Sequence, residues 1–186
     1  MEFYKKALIA GASLLALLLI FKKKGKKMDQ SADDKYQTKR TERNIATLHP
    51  KIRKVTRQFI DKAKQQGIYL VVTDGWRTYP EQNELYKQGR TKPGKKVTWA
   101  RAGESNHNFG LAFDCVPIEN GMINYETKKW KEIGNLGKSF GFKWGGDWEP
   151  PKTDRPHFEM MFGNTLAMLR NKIKAKNTID GGYANV

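Results

Sequence analysis

The apolar positions of this chain fall into two regimes. Residues 7–21 form an unbroken apolar or small-residue run, with Lys5 and Lys6 before it and Lys22, Lys23, Lys24, Lys26 and Lys27 after it. As a helix this run spans about 22 Å, short of a roughly 30 Å hydrocarbon core, so it crosses a bilayer only with snorkelling lysines or local thinning. No small-x-small cleavage site precedes Lys22, which favours an uncleaved anchor over a removed signal peptide. The heavier lysine flank follows the run, and the positive-inside rule would then keep the remainder of the chain cytoplasmic. Residues 28–44 are polar, charged and poor in aliphatics, the composition of a tether.

From residue 45 the pattern becomes that of a folded domain. Ile52, Val55, Phe59 and Ala63 recur at three- and four-residue steps and predict a helix that ends near Gly67. Residues 68–73, Ile-Tyr-Leu-Val-Val-Thr, read as a buried strand. Pro80 opens a second helix carrying Leu85 and Tyr86, with Gly89 as its stop. Residues 90–105 are rich in Gly, Lys and Thr and predict a long surface loop, a feature that is often functional in a compact domain. Strands at 111–118 and 122–125 flank a Glu119-Asn120-Gly121 turn and make a hairpin. A helix over 127–139, a short strand at 142–144, a last strand at 157–161 and a basic helix over 165–174 complete the set. Helices around a small antiparallel sheet define an α+β domain. The expected organisation is an anchor or signal-like segment at 1–27, a linker at 28–44, a catalytic-sized domain at 45–164, and a basic helix and tail at 165–186.

Composition adds little to the fold but bounds the partners. A length of 186 residues with 38% hydrophobic content is enough for one core and an appendage. The formal charge of +16 implies attraction to a polyanion, which leaves nucleic acid, an acidic membrane or an anionic cell wall open. Much of that excess belongs to the N-terminal lysines. The single cysteine, Cys115, excludes an intrachain disulfide. Between Phe113 and Val116 it reads as a small apolar strand residue, since thiolate zinc sites use several cysteines at short spacing.

The three histidines limit how a metal site can be built. His107 lies in a loop, and six residues later Asp114 lies in an apolar strand, with Gly110 allowing the backbone to turn between them. A carboxylate flanked by Phe113 and Cys115 is costly to bury without a partner, and a cation is one remedy. In Asp154-Arg155-Pro156-His157, the proline forbids a helix interior and extends Arg155, so His157 starts a strand while Asp154 stays on the loop above it. Two imidazoles and one carboxylate around zinc leave an open position for water, and Asp154 is the candidate base. Spacing alone leaves alternatives open: a satisfied loop histidine at 107, a hydrogen-bonded strand residue at 114, a cap or ion pair at 154. His49, before Pro50, is expected to be structural.

The runs Ser105-Asn106-His107-Asn108-Phe109-Gly110-Leu111-Ala112-Phe113-Asp114 and Asp154-Arg155-Pro156-His157-Phe158-Glu159 resemble the Ser-x-His-x-x-Gly-x-Ala-x-Asp and Asp/Glu-x-x-His motifs of a zinc peptidase family. That family comprises D-Ala-D-Ala carboxypeptidases and L-alanyl-D-glutamate endopeptidases. Thr73-Asp74-Gly75-Trp76-Arg77-Thr78, the run Gly89 to Gly94, and Phe142-Lys143-Trp144-Gly145-Gly146-Asp147-Trp148 resemble its phage endolysin and spore-cortex branch. The resemblance covers residues 45–162 and implies the D-Ala-D-Ala carboxypeptidase, or hedgehog-like, zinc peptidase fold. It implies His107, Asp114 and His157 as zinc ligands, Asp154 as the acidic catalytic residue, and Arg77 as a group that binds substrate or polarises the scissile carbonyl. Ser105 and Trp144 are further candidates for substrate contact, with loop shaping and core packing as their respective alternatives. Glu159 shares a strand face with His157 and reads either as its hydrogen-bond partner or as an ordinary strand ion pair. Asp74 and Glu104 depart from the family pattern.

The expected reaction is hydrolysis of the L-Ala–D-Glu bond of the peptidoglycan stem peptide with zinc as cofactor. Removal of terminal D-Ala is the alternative within the family, and a membrane-anchored basic binding protein without catalysis is the alternative outside it. The chain is expected to be a monomer, to meet a membrane through its N-terminal segment and to act at the cell wall or periplasm, with a virion or phage association as one setting. No nucleic-acid partner is expected.

Overall fold

A computed structural model describes residues 30–186, with side-chain surroundings from residue 37 onward. The apolar run at residues 7–21 and its lysine flanks lie outside these residues. Among the described residues no helix is long and apolar enough to cross a membrane. Residues 34–186 group into one compact unit.

Helix α1 (Gln30–Ala46) occupies the stretch whose composition predicts a tether, and this is a correction. Its polar residues are partners for the chain rather than for water. The sheet order places β1 (Leu70–Asp74) at an edge, where the outward N–H and C=O groups need acceptors and donors. Thr41 Oγ1 accepts from Val72 N–H at 3.1 Å, Asn44 Nδ2 donates to Val72 O at 2.8 Å, and Arg40 donates to Thr73 O at 3.3 Å. Ile45 then inserts fully buried into the core. A hydropathy pattern cannot register a helix that docks through hydrogen bonds.

Helix α2 (Pro50–Gln65) follows the expected periodicity, burying Ile52, Thr56, Phe59 and Ala63. It starts at His49, whose Nδ1 accepts from Lys51 N–H at 3.2 Å while Nε2–H donates to Ala184 O at 3.0 Å. Fully buried and doubly bonded, His49 has the structural role expected of it. Helix α3 (Tyr79–Lys87) is opened by a capping box between Thr78 and Glu81. Strands β2 (Ala112–Glu119) and β3 (Met122–Ile123) form the predicted hairpin. Asn120 and Gly121 carry φ of 54° and 77°, the left-handed pair that a two-residue hairpin turn requires. Helix α4 (Trp130–Ser139), β4 (Lys143–Trp144) and β5 (His157–Glu159) follow.

The antiparallel sheet runs β1-β2-β5-β4, with β3 extending β2. Its alternation separates core from chemistry. Phe113 lies opposite Phe158, and one step along, Asp114 lies opposite His157. The Phe face packs beneath α2 and α4, with the Phe59 ring 5.2 Å from Phe158 and 6.2 Å from Phe113. Two glycines of α4 permit this approach. A Cβ on Gly134 would stand 2.3 Å from the Trp144 ring, and one on Gly137 would stand 2.3 Å from Phe158 Cε1. Alanine at an open helix position would stabilise through propensity. Gly137→Ala is instead expected to destabilise the domain by about 1–3 kcal/mol through overpacking. A urea midpoint that rises on this substitution would show that α4 does not press on the sheet.

The C-terminal segment corrects a second expectation. Rather than a solvated basic tail, helix α5 (Leu166–Lys174) and the hairpin of β6 (Thr178–Ile179) and β7 (Tyr183–Ala184) build a small second core. Leu169 and Ala184 bury against Phe109 and Leu111, and Tyr183 Oη donates to Thr47 O at 2.9 Å. Arg170, exposed on α5, donates to Gly103 O at 2.8 Å. Lys174 and Lys176 are exposed, Lys172 is half-buried and donates to Asn164 Oδ1 at 2.6 Å, and the apolar positions between them anchor the loop that carries His107.

Candidate metal centre and cleft

The three sequence-predicted ligands converge. His157 and Asp114 are paired across β5 and β2, which places both side chains on the sheet face opposite the Phe core. His107 comes from a short 3-10 turn (Asn106–Phe109) ended by Gly110 at φ 67°, where a Cβ would meet His49 N at 2.7 Å. His107 Nε2 lies 3.1 Å from His157 Nδ1, and each of these nitrogens lies 3.3 Å from Asp114 Oδ1. Triangle edges of this length match the roughly 3.3 Å spacing of donors that sit about 2.0–2.1 Å from a tetrahedral ion.

The groups behind the ligands orient them. His107 Nδ1–H donates to Gly75 O at 2.8 Å, and His157 Nε2–H donates to Glu159 Oε2 at 3.1 Å. Glu159 also accepts from Asn106 Nδ2 at 2.6 Å, so it is the partner of His157 and more than an incidental strand charge. With those N–H groups directed outward, the inner nitrogens present lone pairs toward one another and toward a carboxylate oxygen. Asp114 Oδ1 is buried without a hydrogen-bond partner. Three inward acceptors are unfavourable unless a positive charge lies among them. The titration behaviour agrees. Burial alone would raise Asp114, but the adjacent imidazoles outweigh it and depress its pKa far below the carboxylate range. Burial would lower His157, yet Asp114 and Glu159 raise it to about 9. The donor set and the orphaned oxygen fit a divalent metal.

A cavity of about 650 Å³ opens beside this triangle, lined among others by Arg77, Ser105, Trp99, Trp148 and Asp154. Asp154 sits on the loop before β5, its N–H bonded to Gly145 O at 2.9 Å. Burial and the nearby Asp114 charge raise its pKa above the usual carboxylate value. Gly145 must lack a side chain, because a Cβ there would stand 2.4 Å from Asp154 O and 3.0 Å from His157 Cβ. Arg77 projects just past β1, its N–H bonded to His107 O at 3.0 Å. Its guanidinium is held by Asp74 and by Gln82 Oε1, the latter at 2.7 Å, with further N–H groups left for a ligand. The unusual Asp74 thus serves to orient Arg77.

Trp144 does not reach the cleft. It is 6% exposed, packs on Gly134 in the main core and donates from its indole to Arg155 O at 2.7 Å. Strand β4 turns it to the Phe face, and the aromatics that wall the cavity are Trp99 and Trp148, the latter with its ring 5.0 Å from His157. Sequence reasoning also missed the polar residues that brace the site. Gln82, fully buried, ties Ala100 O at 2.8 Å and Arg77 together. Asn108 accepts from Gly103 N–H at 2.9 Å and donates to Arg77 O at 2.8 Å. The Thr-x-x-Glu capping box was a usable signal for the start of α3; nothing local marks Gln82 or Asn108. Cys115 is buried with its thiol pKa raised by burial, as inert as its strand context implies.

A family model described as D-alanyl-D-alanine carboxypeptidase matches residues 98–160, which contain all three converging residues and Asp154. The chain is 43% identical over 124 residues to the peptidoglycan L-alanyl-D-glutamate endopeptidase CwlK of Bacillus subtilis, covering 61% of this chain and 74% of that one. The chain belongs to the D-alanyl-D-alanine carboxypeptidase family. As a member of that family it is a peptidase, and zinc is the family's metal. Within the family it is also 25% identical over 130 residues to the L-alanyl-D-glutamate peptidase of Listeria phage A118, of which the match spans 43%. The LdcB LD-carboxypeptidase has a similar fold at a TM-score of 0.50 and 23% identity, over 67% of this chain and 64% of that structure.

Proposed function

We propose that this peptidase is a zinc-dependent peptidoglycan endopeptidase that hydrolyses the L-Ala–D-Glu bond of the stem peptide, with His107, Asp114 and His157 as its metal ligands. The observation that carries the endopeptidase reading is that the cavity beside the three converging residues adjoins two others through different lining residues. The 650 Å³ cavity shares Asp74, Arg77 and Leu85 with a cavity of about 680 Å³ on one side. On the other it shares Pro151, Thr153 and Asp154 with one of about 480 Å³. A peptide cut internally needs room on both sides of the scissile bond, whereas an enzyme that trims a terminal residue needs a closed end. The 43% identity to an L-alanyl-D-glutamate endopeptidase supports the same bond.

His107, Asp114 and His157 would hold zinc, which would supply Lewis acidity for the carbonyl and would lower the pKa of a bound water toward neutral. Asp154 takes the proton of the attacking water and returns it to the departing amine of D-Glu. Its raised pKa makes it a better proton acceptor than an exposed aspartate. Arg77, prevented from swinging by Asp74 and Gln82, donates to the oxyanion that forms on the L-Ala carbonyl. Ser105 and Trp148 bound the cavity and restrict how the peptide lies in it. Mass spectrometry of stem peptide digested by the protein is expected to show free D-Glu-terminated peptide, with activity abolished by chelation and restored by zinc. Release of free D-Ala would overturn the endopeptidase reading.

The proposed setting is the cell wall, reached by an N-terminal segment that tethers a monomeric enzyme to a membrane. The apolar run at residues 7–21 supports the tether. The heavier lysine flank after it means that action at the wall requires release from the membrane, an override of the positive-inside rule, or a bilayer other than a plasma membrane.

A further inference from the structure

The chemistry proposed above gives the cleft a direction. Asp154 returns a proton to the amine, so the D-Glu half of the substrate lies toward the cavity that Asp154 shares with Pro151 and Thr153. Arg77 serves the carbonyl, so the L-Ala half lies toward the other cavity, which Arg77 lines. In peptidoglycan, L-Ala is joined through its amine to the lactyl group of the muramyl sugar. The group one bond beyond L-Ala is therefore a saccharide, and the space beyond Arg77 is where it must go.

That space has the chemistry for a neutral, hydroxyl-rich ring rather than for an acidic peptide. The charges of both cations lining it are balanced by neighbouring carboxylates, Arg77 by Asp74 and Lys92 by Glu84. Glu81, bonded to Thr78, adds one more negative charge, so the lining has no surplus of positive charge to hold the carboxylates of D-Glu and the residues after it. Each paired carboxylate keeps lone pairs beyond its present partners with which to accept from hydroxyl groups, and Gln88 adds a donor. Trp76 supplies a flat apolar face. It is 43% exposed, and its indole N–H is held by Asn108 O at 3.2 Å, which fixes the orientation of the ring. Pro80 and Pro93 add apolar walls. A rigid aromatic surrounded by acceptors suits the apolar face and hydroxylated rim of a sugar.

We infer that the cavity lined by Trp76, Glu84 and Gln88 is a saccharide subsite that binds the muramyl group attached to L-Ala. The inference rests on the endopeptidase reading and gives it a preference. The enzyme acts on stem peptide still joined to glycan ahead of peptide already released from it.

The test compares kcat/KM on two substrates, N-acetylmuramyl-tetrapeptide and the same tetrapeptide with its L-Ala amine acetylated. The full chain loaded with zinc is expected to favour the sugar-bearing substrate at least tenfold. Trp76→Leu and Gln88→Ala are each expected to lower that ratio toward one. Because Trp76 also braces the loop that carries His107, Gln88→Ala decides the matter if Trp76→Leu loses its metal. A parent ratio near one, or a ratio that survives both substitutions, overturns the subsite and leaves the endopeptidase reading standing. Cleavage of neither substrate at L-Ala–D-Glu overturns that reading, and the subsite with it.

Discussion

Asp154→Asn is expected to lower kcat/KM by about 10²–10⁴-fold while zinc content stays at the parental level. The substitution keeps the backbone bonds that shape the loop, since Asp154 N–H still reaches Gly145 O and Asp154 O still receives His157 N–H. It removes the carboxylate best placed in the cavity to accept a proton. Glu159 is engaged by His157 and Asn106, and Asp74 by Arg77 and Gly75, so neither substitutes for it. Burial and Asp114 raise the Asp154 pKa. A base works in its ionised form, so parental activity should climb with pH through a value higher than that of an exposed aspartate, and the Asn variant should lack that limb. Metal analysis alongside rate measurement checks the division of roles. A variant that retains activity within tenfold of the parent would assign the proton transfer elsewhere.

Asp114→Asn has the opposite signature, a loss of metal that carries activity with it. Asp114 Oδ1 is the anionic corner of the triangle and is buried without a hydrogen-bond donor. An amide of the same shape removes the negative charge and presents a weaker donor to the ion. Outer groups that merely orient a ligand typically contribute 10–100-fold to metal affinity, roughly the loss expected for Glu159→Gln. The loss for Asp114→Asn should be larger than that, and competition with a fluorescent chelator measures both. Equal zinc affinity in the Asp114 variant and the parent would show that the ion sits elsewhere.

How much of this was legible beforehand depended on range. Phe59 and Ala63 announced α2 by periodicity, the Asn120-Gly121 pair announced its hairpin, and the unbroken apolar content of residues 68–73 announced β1, because each is a property of neighbours along the chain. The site was legible for a related reason. Asp114 within an apolar strand and His157 after a proline are conspicuous where they stand, and the ordered motifs linked them to His107. The helix at Gln30–Ala46 was not legible, because Thr41 and Asn44 look like solvated polar residues until the edge of β1 is there to receive them. The misassignment of Trp144 has a similar origin. Trp144 and Trp148 are indistinguishable as cleft walls in the sequence, and only pairing of β4 with β5 turns the first into the core and leaves the second beside His157.

By itself, then, the sequence determined the α+β class and the peptidase family, and its motifs singled out the three residues that converge and the acid near them, since local periodicity and short motifs encode each. The tertiary structure alone decided which outer groups hold those three side chains, that Asp74 and Gln82 lock Arg77, that the C-terminal hairpin braces the His107 loop, and that the cavity beside Asp154 adjoins two others. These depend on residues tens of positions apart meeting in space, and hydrogen bonds and cavity walls of that kind leave no periodic trace along the chain.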